Sequence, residues 1–222
     1  MFGIILTIIA FEIGVTIRNK WRNPLLNPIL IATILIIGFL TITGISYDTY
    51  KVGGDYISFF LGPVTVLLAV PLYRHIQALK SNWLPIIAGI FVGSTTSVFC
   101  VIACAKIFNL SKTLMLSLIP KSITIPMGSV FSEQIGGIPS ITIVSIVITG
   151  ITGAVTAPLV CRFFRIKNPV AQGVAIGTAS HALGTTKAME IGEVQGAMSS
   201  LSIGVAGVVT VFITPVLLNI LG

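Results

Sequence analysis

The sequence predicts an all-α membrane protein built from about six transmembrane helices plus two broken or re-entrant helical hairpins arranged as an inverted repeat. Three observations carry this prediction. The 222-residue chain is 55% hydrophobic and only 9% charged, with a mean hydropathy of +1.05, which places it outside the range of soluble domains. Apolar runs close to the roughly 20 residues needed to cross a bilayer recur along its length. Two further runs, 111–133 and 168–193, are interrupted halfway by proline, glycine, hydroxyl, lysine or histidine residues.

The elements follow in chain order. Met1 to Ile17 has no basic segment before it and no small-residue cleavage site, and it runs directly into RNKWRN. It therefore reads as an uncleaved first span. Glu12 within it reads as a structural or interfacial residue. The runs 27–46, 57–79, 83–107, 138–161 and 195–221 read as five further spans. No polar stretch exceeds about a dozen residues, so the expectation is one integral membrane domain over 1–222. Within it, 1–80 would form scaffold-like helices, 83–133 a first helix-plus-hairpin repeat, 138–193 a second, and 195–222 the last helix.

The formal charge of +7 does not indicate a nucleic-acid partner, because the thirteen basic residues lie in short clusters between spans and read as topology signals. They also discriminate between two paths for the interrupted segments. If both cross the membrane, each side holds six basic residues. If both return as hairpins, Arg18, Lys20, Arg22, Arg74, Lys80, Arg162, Arg165, Lys167 and Lys187 share one side, nine against three, with Lys121 at a hairpin tip. The positive-inside rule favours hairpins, with both termini outside.

An offset of 56 residues superposes the two regions weakly: Lys106 on Arg162, Phe108 on Phe164, Ser122 on Thr178, Thr124 on Ser180, Gly128 on Gly184. With hairpins, the two helix-plus-hairpin units enter from opposite faces, which is the inverted-repeat organisation of secondary transporters. Cys100, Cys104 and Cys161 fall in apolar runs and read as packing residues. No disulfide framework, metal centre or other cofactor is expected.

Backbone that leaves a helix at membrane depth exposes groups that lipid cannot satisfy, so the two interruptions must line a cavity or pack on protein. The tips Pro120-Lys121-Ser122-Ile123-Thr124 and Gly177-Thr178-Ala179-Ser180-His181 offer a cation, hydroxyls and an imidazole. With half-helix N-termini beside them, they suit a small anion. A lysine at the bilayer centre costs roughly 2.5–3.5 kcal/mol on insertion scales, so Lys121 either clamps a carboxylate or snorkels to an interface. His181 either contacts substrate or a coupled proton, or is held between helices. Glu133, Glu190 and Glu193, where the hairpins return, are coupling candidates or exposed helix-end residues. Gly192, Gly196, Ser199, Ser200, Gly204 and Gly207 give the last helix a face for close approach. The hydroxyl run Ser94-Thr95-Thr96-Ser97 and the stretch Gly150 to Gly153 read as scaffold for the hairpins. No catalytic triad, phosphate loop or metal-ligand spacing is present in the sequence, and no enzyme activity is expected.

The runs PKSITIPMGSVFSEQIGGIPSITIV (120–144) and GTASHALGTTKAMEIGEVQGAMSSLSIGVAGVVT (177–210) resemble the two signature regions of the LrgB/CidB family. The resemblance covers roughly 30–222. It implies a multi-pass bacterial cell-membrane protein, with two functions on offer. Some members are antiholin-like or holin-like modulators of murein hydrolase activity, often encoded beside a smaller LrgA/CidA-type membrane partner. Others move pyruvate and related monocarboxylates, and a plastid member exchanges glycolate and glycerate. The resemblance thus implies a small carboxylate substrate, which the polar tips suggest independently. The reading is a monocarboxylate transporter, with Lys121, Ser122, Thr124, Thr178, Ser180 and His181 at the substrate. A lysis regulator acting through a partner is the alternative, and a homo-oligomer is expected.

Overall fold

The computed structural model describes residues 1–21, 26, 28–60, 63, 67 and 69–221. They form an all-α membrane protein, as the sequence predicts. Contacts divide the chain into two compact units, Met1–Leu67 and Leu68–Gly222.

In the first unit, α1 (Phe2–Trp21) is long and apolar enough to cross a membrane, and α2 (Pro28–Thr43) is shorter. Helix α3 (Tyr47–Phe59) starts at Ser46, whose hydroxyl accepts from the Thr49 amide. The sequence predicts no span over most of α3, because YDTYKVGGDY is not an apolar run. The structure makes it an amphipathic helix against α1, where Gly53 and Gly3 bring the two backbones together and Thr7 Oγ1 lies 2.9 Å from the Tyr50 hydroxyl. A Cβ on Gly53 would lie 2.7 Å from the Gly3 backbone, so only glycine permits this approach. Glu12 is exposed, and its carbonyl accepts from Thr16 Oγ1. The expected span 57–79 and Arg22 of the first basic cluster fall partly or wholly outside the described residues.

The second unit begins with two short helices, α4 (Ala69–Arg74) and α5 (Ile76–Ser81). Helix α6 (Trp83–Ile107) then spans. After it, α7 (Lys112–Leu118), a 3-10 turn (Ile119–Ser122) and α8 (Ile125–Ile135) form the first interrupted segment. Helix α9 (Pro139–Phe163) spans back. Helix α10 (Pro169–Ile191) is broken at His181 (φ 43°, ψ −137°), and α11 (Glu193–Leu221) spans last. Among the described residues four helices, α1, α6, α9 and α11, have spanning length, against the six expected.

Both interrupted segments are hairpins. In the first, Ser117 before the tip and Ser132 after it meet at one point, because Thr142 Oγ1 donates to Ser117 O (2.8 Å) and lies 2.6 Å from Ser132 Oγ. Two limbs that converge on one residue run antiparallel, so the chain turns back. In the second, Gly173 and Gly177 pack on Gln195 and Ser199 of α11 in ascending order, whereas Thr185 and Met189 meet Ser199 and Gly196 in descending order. The limbs on either side of His181 are therefore antiparallel too. Helix α6 delivers the chain to one face and α9 to the other, so the hairpins enter from opposite sides.

The 56-residue offset extends through the backbone. Helices α6 and α9 are both 25 residues long with starts 56 apart, and α8 and α10 end 56 apart, at Ile135 and Ile191. The two spans even end alike. Asn109 and Arg165 take positive φ (50° and 54°), and Leu110 N donates to Ala105 O as Ile166 N does to Cys161 O, both at 2.8 Å. The inverted repeat is thus present at the level of single hydrogen bonds.

The interior of this unit mixes large apolar side chains (Ile86, Ile90, Ile102, Ile146, Met198) with small hydroxyl residues, and its outside is apolar. Ser94, Ser117, Ser132, Thr142, Ser199 and Thr214 are 0–2% exposed, while Phe99, Val144, Ile148 and Phe212 are outward. In lipid, hydroxyl bonds and close approach at small residues add to the apolar packing that holds the helices. On α11, Gly196, Ser199 and Gly207 pack on Met189, Gly177 and Met127 as its small-residue face predicts, whereas Gly204 has open space beside it.

Candidate functional site

The two tips converge on one cavity of about 770 Å³. One end of it lies between Asn82, at the start of α6, and Asn168, which caps α10 by accepting from Val170 N (2.8 Å) and Ala171 N (3.2 Å). Its walls are apolar, with Pro85, Ile86, Val92 and Val174. Its deep end is polar, with Thr96, Ser97, Lys121, Ser122 and Thr178. From Asn82 to Ser97 the rise along α6 is about 22 Å, which places the polar end near mid-membrane. An apolar cleft ending in a few convergent polar groups is the usual form of a small-ligand site.

The first tip forms because two prolines punctuate it. Pro120 opens the 3-10 turn, and Pro126 sits in the first turn of α8, where its missing N–H costs nothing. Between them Ile123 and Thr124 are extended (ψ 178° and 153°). Lys121 Nζ donates to Ser97 Oγ (3.2 Å) and to Ser122 Oγ (3.1 Å), and the two hydroxyls lie 2.9 Å apart. An ammonium has three N–H donors, so this arrangement leaves one for a ligand. Among the described residues no carboxylate pairs with Lys121. Thr178, from the second tip, is 7% exposed, and its Oγ1 is buried with no hydrogen-bond partner. A buried hydroxyl without a partner is costly, so this one is a candidate to donate to a ligand.

The other predicted residues lie elsewhere. Ser180 fills the space beside Gly153 of α9. His181 is 3% exposed, and its Nε2 lies 3.0 Å from Ile146 O of α9. His181 O accepts from Thr185 Oγ1 at 3.0 Å, and Thr185 Oγ1 in turn lies 2.7 Å from Ser199 Oγ. Ser180 and His181 thus tie the second tip to its neighbours and do not line the cavity. Thr124 is half-buried at the head of α8, also away from the cavity wall, and its carbonyl accepts from Gly128 N. At each tip one half-helix ends and another begins, so both signs of helix dipole meet there, and not the N-termini alone.

The three glutamates stand at the faces. Glu133 is exposed at the return of the first hairpin, Glu190 is 2.8 Å from Lys187 Nζ, and Glu193 is 3.6 Å from His75 Nε2. None lines the cavity. Ser97 is the residue whose role the sequence reading missed. It was visible as part of a hydroxyl run on α6, but only the fold brings it onto Lys121.

The chain is similar to curated relatives in Bacillus. The antiholin-like protein LrgB of Bacillus cereus (strain B4264) is 38% identical over 222 residues, covering 100% of this chain and 96% of the relative. The antiholin-like protein LrgB of Bacillus anthracis (strain CDC 684 / NRRL 3495) matches with the same identity and coverage. No solved structure matches the chain. A family model described as the LrgB-like family matches residues 7–220, wider than the stretch that carried the resemblance in sequence. With a family match over residues 7–220, curated relatives at this identity, and each signature run covering the tip and return limb of one hairpin, the chain belongs to the LrgB-like family.

Proposed function

We propose that this protein is a secondary transporter of small monocarboxylates of the pyruvate, lactate, glycolate or glycerate class, working by alternating access in a bacterial plasma membrane. The observation that carries this is the meeting of Lys121, Ser122 and Thr178 at the deep end of one cleft. Lys121, oriented by Ser97, neutralises the carboxylate with its remaining N–H. Ser122 and Thr178 hold the oxygen next to it. The cleft runs from the polar tips toward Asn82 and Asn168 on the basic face, and on the opposite side Ser117, Ser132 and Thr142 tie the first hairpin to α9. Opening that clamp while the two hairpins exchange roles would give access from the other side, the cycle that an inverted repeat makes available. Coupling to a proton or cation through Glu133, Glu190 or Glu193 belongs to the same proposal, acting at the faces and not at the carboxylate.

The names of the relatives favour a second reading, an antiholin-like regulator of murein hydrolase activity that acts through a LrgA/CidA-type membrane partner, as a homo-oligomer or with that partner. Counterflow of labelled pyruvate or glycolate in proteoliposomes separates the two. A transporter exchanges label without net driving force. If the wild-type chain, alone and with its partner, exchanges no monocarboxylate, the regulator reading stands and transport is withdrawn.

A further inference from the structure

We propose that the basic pocket at the end of α9 binds the phosphate headgroup of an anionic phospholipid. This pocket is separate from the substrate cleft, has a volume of about 410 Å³, and is lined by Arg162, Arg165 and Lys167 together with Cys161, Gln172 and Ile191. No acidic side chain lines it, and among the described residues no carboxylate pairs with any of the three cations. Guanidinium groups match phosphate oxygens with paired donors, and basic pockets between spanning helices on the cytoplasmic side are suited to anionic headgroups.

The repeat shows that the fold does not require three charges here. The first span ends with the same backbone geometry, yet Lys106, Asn109 and Ser111 stand where Arg162, Arg165 and Lys167 stand in the second. Arg165 moreover occupies a left-handed conformation (φ 54°) that asparagine tolerates better. Membrane orientation needs only positive charge somewhere on this side, and does not explain three cations converging on one concavity.

The surroundings select a lipid over a free anion. Leu159, Val160, Phe163 and Phe164 are 62%, 45%, 80% and 67% exposed beside the pocket, and the two phenylalanine rings meet edge to face at 5.1 Å. A headgroup among the cations would leave its acyl chains along this apolar strip of α9. Because Gln172 and Ile191 belong to the two ends of the second hairpin, the bound lipid would bridge α9 to the base of that hairpin.

The test uses the purified full-length chain in nanodiscs and in detergent, with phosphatidylglycerol as probe and phosphatidylcholine and inorganic phosphate as comparisons. Native mass spectrometry and thermal unfolding should show phosphatidylglycerol retained and raising the melting temperature, with phosphatidylcholine doing neither. The combined substitution Arg162→Gln, Arg165→Asn, Lys167→Ser removes all three cations and should lower phosphatidylglycerol affinity at least about tenfold. Lys80→Gln, on the same face outside the pocket, should leave it unchanged. Arg165→Asn alone retains two cations to hold orientation and should lower affinity by about threefold, with orientation checked by an accessible tag. Equal phosphatidylglycerol binding in the wild type and these variants overturns the proposal. Stabilisation by inorganic phosphate equal to that by the lipid overturns its lipid identity.

Discussion

Ser122 and Thr178 lie 56 residues apart, in hairpins that enter from opposite sides, and line the same cavity as equivalent members of the two repeats. Their equivalence gives the first prediction. Thr178→Val keeps the shape of the side chain and removes its unpartnered hydroxyl. A lost neutral hydrogen bond is worth about 0.5–1.5 kcal/mol. Substrate affinity in proteoliposome counterflow should fall about threefold to tenfold, with protein yield and unfolding temperature unchanged. Unaltered affinity would remove Thr178 from the site.

Lys121 and Ser97 should behave as a graded pair. Lys121→Ala removes the one cation at the deep end of the cleft and should abolish monocarboxylate counterflow while the protein remains folded. Ser97→Ala leaves the cation but frees its ammonium from one of two hydroxyl partners at 3.2 Å and 3.1 Å. The expected loss is about tenfold in affinity, from one charge-assisted hydrogen bond. If Ser97→Ala costs as much as Lys121→Ala, Ser97 contacts substrate and does more than orient the lysine.

The clamp between the first hairpin and α9 can be tested by trapping it. With the native cysteines replaced, Ser132→Cys and Thr142→Cys put two thiols where hydroxyls now lie 2.6 Å apart. Oxidation should stop exchange, and reductant should restore it, while substrate still binds from the open side. Continued exchange by the cross-linked protein would show that this contact does not move during transport.

His181 should act on stability and not on substrate. Its ring lies 3.0 Å from Ile146 O and next to Gly150, with no place on the cavity wall. His181→Ala should destabilise the fold by about 1–3 kcal/mol, the cost of an unmatched buried group, with the Michaelis constant little changed. A large rise in that constant in folded protein would return His181 to the substrate.

Two glycines of the signature run should respond in opposite ways to alanine. A methyl on Gly177 would overlap the Ser199 backbone of α11, and forced overpacking costs about 1–3 kcal/mol. Gly204 has nothing within 4 Å of its missing Cβ, and alanine in a helix interior is favoured by roughly 1 kcal/mol. Thermal unfolding of the two variants in detergent should move in opposite directions.

Hydropathy, the positions of basic residues and the 56-residue offset were enough to determine an all-α membrane protein with two interruptions and an inverted repeat. These properties follow from local chemistry: span length, breaker residues and topology signals are each written in contiguous sequence. The amphipathic helix α3 escaped because it is short and too polar to read as a span, and its contact with α1 depends on a glycine-to-glycine approach, between Gly53 and Gly3. Tertiary structure alone decided which polar residues of the tips share a cavity. Lys121, Ser122 and Thr178 face it while Ser180 and His181 turn to α9, because side-chain direction at a broken helix depends on the dihedral angles of the break and on the neighbour that satisfies each freed group. Ser97 joins Lys121 across 24 residues for the same reason: a hydroxyl on one helix acquires its partner only when the hairpin folds back against it.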